Sequence, residues 1–322
     1  MKRSRANFVT TATLVGLLVN GSFIAQTPPA VPGAREIPLV KLNIIITDGA
    51  HHSLDDIQRD DVRVFEDKIE QTVQLFEKDE RPIDYGIVID TSASLRDALG
   101  SGLEAARIIT NSNRATDETF IECFASSDKI KKLQDFTSDK NLLLAALRSI
   151  RVETGQSAVL DALFVALEHT AKHAQKDRRK AIVFITDGED RASSHGLGKV
   201  VDLLHETNIQ VFIIGIVFML EKEGGFVRSS PREKAEKLLA TIAEESGGRL
   251  FLTKNLGELG KAIGEIVHDL RGQIMISYQP SGAKAGFRKV DVKLVKTPGR
   301  EKWRVIAPPG YYLNAPASNS KN

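Results

Sequence analysis

Three short apolar runs constrain the fold of this chain more than any other feature of its sequence. They occupy residues 85–89, 181–185 and 211–217, and the first two are followed within two positions by the acids Asp90 and Asp187. A strand that is buried on both faces, as in a parallel sheet, carries apolar side chains at successive positions rather than at alternate ones. The runs therefore predict parallel strands at the centre of a sheet.

Segments with helical spacing lie between and after these runs. Apolar residues recur at intervals of three and four within residues 95–106, 160–167 and 256–270. A further helix is expected to begin at Ser230, where Ser-Pro-Arg-Glu is a capping box with proline at the first helical position, and to end at Gly247-Gly248. Strands alternating with helices of this length predict an α/β domain over residues 83–272. Its sheet should be doubly wound and mostly parallel, with helices on both faces.

The segments on either side of this domain follow a different pattern. In residues 37–82 and 273–313 the apolar positions alternate with polar ones, and turn-forming pairs such as Asp48-Gly49 separate the alternating stretches. Alternation predicts antiparallel strands with one buried face. We infer that the two flanking segments pair into one sandwich-like domain, with the α/β domain inserted between them. Two separate small β units are the alternative.

The start of the chain is typical of an export signal. Basic residues within the first five positions precede an apolar stretch that is too short and too interrupted by polar residues for a membrane span. We expect residues 1–25 to be a signal peptide and the protein to be periplasmic or secreted, with an uncleaved N-terminal anchor as the alternative. A Pro-rich linker is expected at residues 26–36 and a disordered tail at residues 314–322.

Charge and cysteine content narrow the function further. The formal net charge is +2, but a chain cleaved after residue 25 keeps 41 of its 44 Lys and Arg residues against 42 acids. No basic footprint for a nucleic acid remains. Cys123 is the only cysteine, so no intramolecular disulfide can form, and its place in Phe-Ile-Glu-Cys-Phe predicts a small buried residue in a strand.

Oxygen-bearing side chains follow the first two apolar runs and precede one predicted helix. Asp90, Ser92 and Ser94 end the first strand, Ser157 stands just before a helix, and Asp187 follows the second strand. In open α/β sheets, ligands bind beyond the carboxyl ends of the strands, near the point where the strand order reverses. We therefore expect these five side chains to line one crevice.

The donor set of this crevice predicts a hard metal ion. It contains carboxylates and hydroxyls but no imidazole and no thiolate, which suits octahedral Mg²⁺ or Mn²⁺ better than zinc, whereas calcium prefers more carboxylates. Two carboxylates leave a bound dication close to neutral, so an incoming carboxylate can complete its coordination. Two simpler interpretations remain. The motif Asp-x-Ser-x-Ser alone would also cap a helix, and the domain could carry a degenerate, purely structural site.

The same residues resemble a known motif. Asp90-x-Ser92-x-Ser94, a hydroxyl at Ser157 and Thr186-Asp187-Gly188 are similar to the metal-ion-dependent adhesion site of von Willebrand factor A (vWA) domains. By that resemblance the three serines would be direct or switchable ligands. The two aspartates would coordinate directly or through water. The family usually has Gly-Gly-Thr where this chain has Gly-Gln-Ser, so Ser157 keeps the ligating oxygen but lacks the methyl group that stiffens χ1.

Other stretches resemble a subgroup of exported vWA-related proteins that was first recognised in acidobacteria, over about residues 37–313. These stretches are residues 61–67, 186–190, 278–280, 287–290 and 309–312.

The site and the resemblance favour a binding module over an enzyme. In this hypothesis the bound ion captures an Asp or Glu of a protein ligand. A metal-dependent hydrolase is the alternative, but no motif places a general base, and neither a glycine-rich phosphate loop nor a Gly-x-Ser-x-Gly elbow is present. A cytosolic vWA adaptor of an ATPase complex is a second alternative, which conflicts with the export signal and the flanking β segments.

The histidines suggest no second metal site. His51 and His52 form a pair in a polar loop without a nearby cysteine. The others are expected to be scattered over exposed helix or loop positions, and these are His169, His173, His195, His205 and His268.

Overall fold

A computed structural model describes residues 39–173, 175, 177–220, 229–282 and 285–313. By its internal contacts the chain divides after Glu36, and the unit Ile37–Asn322 is described below. The expected signal peptide, linker and C-terminal tail lie outside the described residues. Within the described ranges, no helix is long and apolar enough to cross a membrane.

The strands in chain order are β1 (Val40–Thr47), β2 (Val62–Glu66), β3 (Ile69–Gln71), β4 (Val73–Lys78), β5 (Ile83–Asp90), β6 (Glu118–Phe124), β7 (Ile130–Thr137), β8 (Arg179–Thr186), β9 (Gln210–Gly215), β10 (Arg249–Leu252), β11 (Ile274–Tyr278), β12 (Gly286–Leu294), β13 (Arg304–Ile306) and β14 (Gly310–Leu313). The α-helices are α1 (Leu99–Asn111), α2 (Lys140–Ser149), α3 (Val159–Lys172), α4 (Leu197–Thr207), α5 (Pro231–Ser246) and α6 (Leu259–Asp269).

A six-stranded sheet forms the centre of the α/β part. Its order is β10-β9-β8-β5-β6-β7, and all neighbouring pairs are parallel except β6 and the edge strand β7. Every residue of β5 and β9 is buried, as expected for strands covered on both faces. Helices α1, α2 and α6 pack on one face, and α3, α4 and α5 pack on the other. The predicted fold class is confirmed.

The flanking strands form two antiparallel sheets that mix the two ends of the chain. One has the order β13-β1-β11-β4 and the other β14-β12-β2-β3, so strands from before and after the α/β part are hydrogen-bonded neighbours in both. Apolar side chains from both sheets, such as Ile44, Val64 and Ile276, share one core. The flanks therefore pair as a sandwich rather than forming two separate units.

Local signals place the helix α5 as the sequence predicts. The Ser230 hydroxyl accepts a bond from the Glu233 backbone N–H, and the Glu233 carboxylate accepts one from the Ser230 N–H, which completes the capping box. Gly247 ends the helix with φ +66°, a left-handed conformation that glycine adopts without steric cost. Helices α2 and α4 were not predicted.

Cys123 is buried in β6, as predicted, and burial raises the pKa of its thiol to about 11. The thiol therefore stays protonated at neutral pH.

The prediction that the histidines after residue 52 are scattered and exposed is wrong. Their side chains are between 14% and 38% exposed, and each ring contacts a carboxylate. The pairs are His169 with Asp135, His173 with Glu118, His195 with Asp161, His205 with Glu245, and His268 with Asp55. The sequence interpretation missed these pairs because the partners are distant along the chain and meet only after folding.

Candidate metal centre

Asp90 and Asp187 lie at the carboxyl ends of neighbouring strands. Asp90 is the last residue of β5, Asp187 follows β8, and the two strands run parallel with Ile89 opposite Ile185. From β5 the chain passes to β6 on one side and later to β8 on the other side. The two carboxylates therefore meet where the strand order reverses, which is the usual position of a ligand crevice.

The loop after β5 links the two carboxylates through its serines. The Ser92 backbone N–H donates to Asp90 Oδ1 at 2.9 Å, and the Ser92 and Ser94 hydroxyl oxygens are 3.0 Å apart. Ser94 Oγ then donates to Asp187 Oδ2 at 2.7 Å. The spacing Asp-x-Ser-x-Ser thus turns the chain back so that both hydroxyls face the aspartates.

Ser157 reaches the same carboxylate from a third loop. Its hydroxyl donates to Asp90 Oδ2 at 3.2 Å, and its carbonyl accepts bonds from the backbone N–H groups of Arg191 and Ala192. Gly155 makes this approach possible, because a Cβ at that position would lie 2.5 Å from the Ala125 carbonyl oxygen. The structure therefore brings all five predicted side chains together.

The sequence interpretation assigned no role to Thr186, although the motif included it. Its hydroxyl donates to Asp90 Oδ2 at 2.8 Å and accepts from the Gly188 backbone N–H. A hydroxyl in the last residue of a buried strand, immediately before an acid, was the available signal. Thr186 acts as a positioning residue that orients the Asp90 carboxylate.

A second group of polar residues holds the loop that follows Asp187. Asp161, in the first turn of α3, accepts bonds from the Ser127 hydroxyl, from the Ser194 backbone N–H, and from the backbone and ring of His195. These partners are more than 30 residues from Asp161 along the chain, so no local pattern indicated the contact. These bonds attach the loop that follows Asp187 to α3, the helix that follows Ser157.

Burial makes both aspartates unfavourable as isolated anions. It raises the pKa of Asp90 to about 6, with repulsion from Asp187 as the next cause, and it also raises the pKa of Asp187. Asp90 is 1% exposed and Asp187 is fully buried, whereas Ser94 is exposed and opens the site to solvent. A bound cation would offset this electrostatic cost.

The side chains present fit a small hard cation. Asp90, Asp187 and three serine hydroxyls offer only oxygen atoms, drawn from three loops that converge on one point. This donor set matches the preferences of Mg²⁺ and Mn²⁺, which bind a few carboxylates and complete their octahedral shell with neutral oxygens.

Comparisons with known proteins identify the domain. Residues 86–189 match the family model for the von Willebrand factor type A domain. Subunit 2 of ATP-dependent DNA helicase II from Aspergillus oryzae (strain ATCC 42149 / RIB 40) is 27% identical over 164 residues, which cover 50% of this chain and 22% of that protein. The matched region of this chain thus corresponds to less than a quarter of the length of that relative. The chain contains a von Willebrand factor type A domain.

Solved structures with a similar arrangement include two proteins from unrelated sources. The conserved hypothetical protein BatB from Bacteroides thetaiotaomicron has a TM-score of 0.45 and 18% identity, over 58% of this chain and 98% of that one. Proximal thread matrix protein 1 from the mussel byssus, solved with a zinc-occupied MIDAS motif, has a TM-score of 0.46 and 16% identity, over 60% and 49% of the two chains.

Proposed function

We propose that this protein is an exported binding module that holds one Mg²⁺ or Mn²⁺ ion at the Asp90–Asp187 site and uses it to grip an Asp or Glu of a protein partner. The observation that carries the proposal is the convergence of two buried carboxylates and three hydroxyls from three loops. Export is proposed from the pattern of residues 1–25 alone.

The charge balance explains why the partner should supply a carboxylate. Two aspartates neutralise a dication, so a third carboxylate meets little net repulsion and bonds directly to the metal. The approach is from the side of Ser94, which is exposed. Glu189 and Arg191 form a 2.7 Å ion pair on the loop after Asp187, and this pair would lie beside the incoming partner.

Two titratable groups lie on the loop after Asp187. Glu189 is paired with Arg191, whereas His195 has its Nδ1 at 2.6 Å from Asp161 Oδ1 and keeps its Nε2 for other contacts. A hydrolase at this site would therefore use His195 as its general base.

Replacing Asp90 tests the metal site. We expect the parent protein to bind about one Mg²⁺ or Mn²⁺ per chain. The Asp90→Ala substitution should abolish this binding and leave the fold intact. Calorimetric titration gives the stoichiometry. At a Mg²⁺ concentration of about 100 times the Kd, the ion should raise the free energy of unfolding of the parent by about 2.7 kcal/mol and that of the variant not at all.

Asp97→Ala is the matched control, because Asp97 is an exposed acid in the same segment that accepts no hydrogen bond at the site. Asp90→Asn is a second variant that keeps the shape of the side chain, in case the alanine variant loses the bonds from Ser92, Ser157 and Thr186 and unfolds. Unchanged stoichiometry in both Asp90 variants would rule out the assigned site.

Replacing Ser157 tests the step in which the ion grips the partner. We expect Ser157→Ala to weaken partner binding by roughly 1–3 kcal/mol, and metal binding by less, because its loop is separate from that of Ser92 and Ser94. Ser157→Thr should preserve or strengthen both, since threonine keeps the oxygen and stiffens χ1.

The partner is to be captured on the immobilised protein in Mg²⁺ and released with chelator, with Asp90→Ala as the control bait. Affinities are then measured in saturating Mg²⁺. Parent-like partner affinity in Ser157→Ala would mean that Ser157 only supports the loop. Turnover of the captured partner by the parent, and not by Asp90→Ala, would favour a hydrolase.

A further inference from the structure

Three metal-binding side chains converge at the opposite end of the central sheet from the Asp90–Asp187 site. Asp84 lies near the start of β5, Glu118 begins β6 directly beside it, and His173 follows the last residue of α3. One ligand atom from each of the three lies within 4.8 Å of the others. We call this group the Asp84–Glu118–His173 cluster.

One buried oxygen in the cluster has no hydrogen-bond partner. The Asp84 side chain is completely buried, and its Oδ1 accepts a bond from Arg178 Nε at 2.7 Å. Its Oδ2 has no hydrogen bond and faces His173 Nε2 at 3.8 Å. A buried carboxylate oxygen without a donor is costly, so a ligand that bonds to it would contribute stability.

The two separations from His173 Nε2 are close to those between neighbouring ligands of a tetrahedral ion. Bonds of about 2.0–2.1 Å place neighbouring ligands of a tetrahedral zinc ion about 3.3 Å apart. His173 Nε2 is 2.9 Å from Glu118 Oε2 and 3.8 Å from Asp84 Oδ2, which brackets that value. Small shifts of the side chains would bring all three atoms to bonding distance.

The surroundings hold the imidazole and offer a fourth ligand. The His173 ring stacks on Phe136 with the ring centres 3.8 Å apart and the planes 8° from parallel. The Gln175 amide lies 3.3 Å from His173 Nε2 and 3.2 Å from Glu118 Oε2. Because the oxygen and nitrogen of an amide exchange positions by a simple flip, Gln175 or water can complete the shell.

We propose that the Asp84–Glu118–His173 cluster binds one divalent transition-metal ion, such as zinc, at a site separate from the Asp90–Asp187 site. An imidazole nitrogen beside two carboxylates favours zinc, cobalt or nickel over magnesium. With Arg178 bound to Asp84, the two carboxylates and the guanidinium leave one net negative charge for the ion. The bound ion would tie the starts of β5 and β6 to the end of α3.

The cluster also has an explanation without metal. A protonated His173 could form ion pairs with both carboxylates, and the two explanations differ in whether the cluster takes up a metal.

The test uses the untagged full-length chain with Asp90→Ala, so that the other site does not contribute, and titrates it with Co²⁺. Tetrahedral cobalt with a nitrogen ligand absorbs visible light far more strongly than six-coordinate cobalt, so the spectrum reports this geometry.

We expect one equivalent of Co²⁺ to develop strong visible absorption that one equivalent of Zn²⁺ removes. Adding His173→Ala should abolish the absorption. His169→Ala is the matched control, because His169 lies in the last turn of α3, one turn before His173, and contacts the same Phe136 ring, but pairs with Asp135 outside the cluster. That variant should keep the absorption.

Glu118→Gln is a second test that preserves the shape of the side chain, in case His173→Ala disturbs the end of α3. We expect it to weaken cobalt binding about tenfold or more. Circular dichroism confirms that each variant is folded. No strong absorption in the Asp90→Ala protein, or equal absorption in folded His173→Ala or Glu118→Gln protein, would overturn the proposal.

Discussion

Glu122 is a buried acid on β6, the strand beside the edge strand of the central sheet. It is 1% exposed, it lies between Phe120 and Phe124 on the same face of β6, and its Oε1 has no hydrogen-bond partner. Burial raises the pKa of its carboxyl from 4.5 to about 8, and Lys132 on the adjacent strand only partly opposes this. The carboxyl is therefore protonated in the folded protein at neutral pH.

This raised pKa makes stability depend on pH. Between pH 4.5 and about pH 8 the folded chain keeps a proton on Glu122 that the unfolded chain has released. The folded state then binds more protons, so stability falls as pH rises, by about 1.4 kcal/mol per pH unit. Across the whole window the loss reaches about 5 kcal/mol. Below pH 4.5 both states are protonated and the loss disappears.

Glu122→Gln should remove this loss, because glutamine has nearly the same shape and stays neutral. Relative to the parent, its free energy of unfolding should be higher by less than about 1 kcal/mol at pH 5 and by about 4 kcal/mol at pH 8. Urea unfolding at pH 5, 6, 7 and 8, followed by circular dichroism in chelator, measures the difference. Glu168→Gln is the control, since the Glu168 side chain on α3 is 45% exposed and forms only a surface pair with Lys172.

A constant difference between Glu122→Gln and the parent from pH 5 to pH 8 would refute this reasoning. It would mean that the folded state ionises Glu122 as readily as the unfolded state does.

Two further substitutions test how closely the fold depends on local features. Gly86→Ala should lower the free energy of unfolding by about 1–3 kcal/mol or more, because a Cβ there would lie 2.2 Å from the Phe120 ring. If urea unfolding shows a decrease of less than about 0.5 kcal/mol, the packing argument is wrong. Ser230→Ala should cost about 1 kcal/mol by removing the bond from the Glu233 N–H. Parent-like stability of that variant, measured in the same way, would show that α5 does not depend on its cap.

The sequence was most informative where one local pattern decides the structure. The runs ending near Asp90 and Asp187 have no polar positions to face solvent, so they fit only strands covered on both sides. The cap at Ser230 and the glycine at Gly247 each set a helix end through bonds within a few residues. Topology then placed the site, because neighbouring parallel strands end at the same edge of the sheet.

Features that depend on distant residues were not predictable in this way. Helix α4 is a different case, because Leu197, Val200 and Leu204 have helical spacing and were an available signal that the sequence interpretation did not use. Asp84 and Glu118 are 34 positions apart and become neighbours only through the register of β5 and β6. Glu122 lies among apolar neighbours that indicate a buried strand, but an acid at this position would ordinarily be expected to face solvent.

The two candidate metal sites lie at opposite ends of one strand, and this geometry makes them independent. Asp84 and Asp90 are separated by six residues of β5, which corresponds to about 20 Å. They also share no bonding partner, since Asp84 contacts Arg178 and His173 while Asp90 contacts the serines and Thr186. Effects at sites more than about 7–10 Å apart without common partners usually add. In a folded variant, removing Asp90 should therefore not change metal binding at the Asp84–Glu118–His173 cluster, which is the condition that lets a variant at one site report on the other.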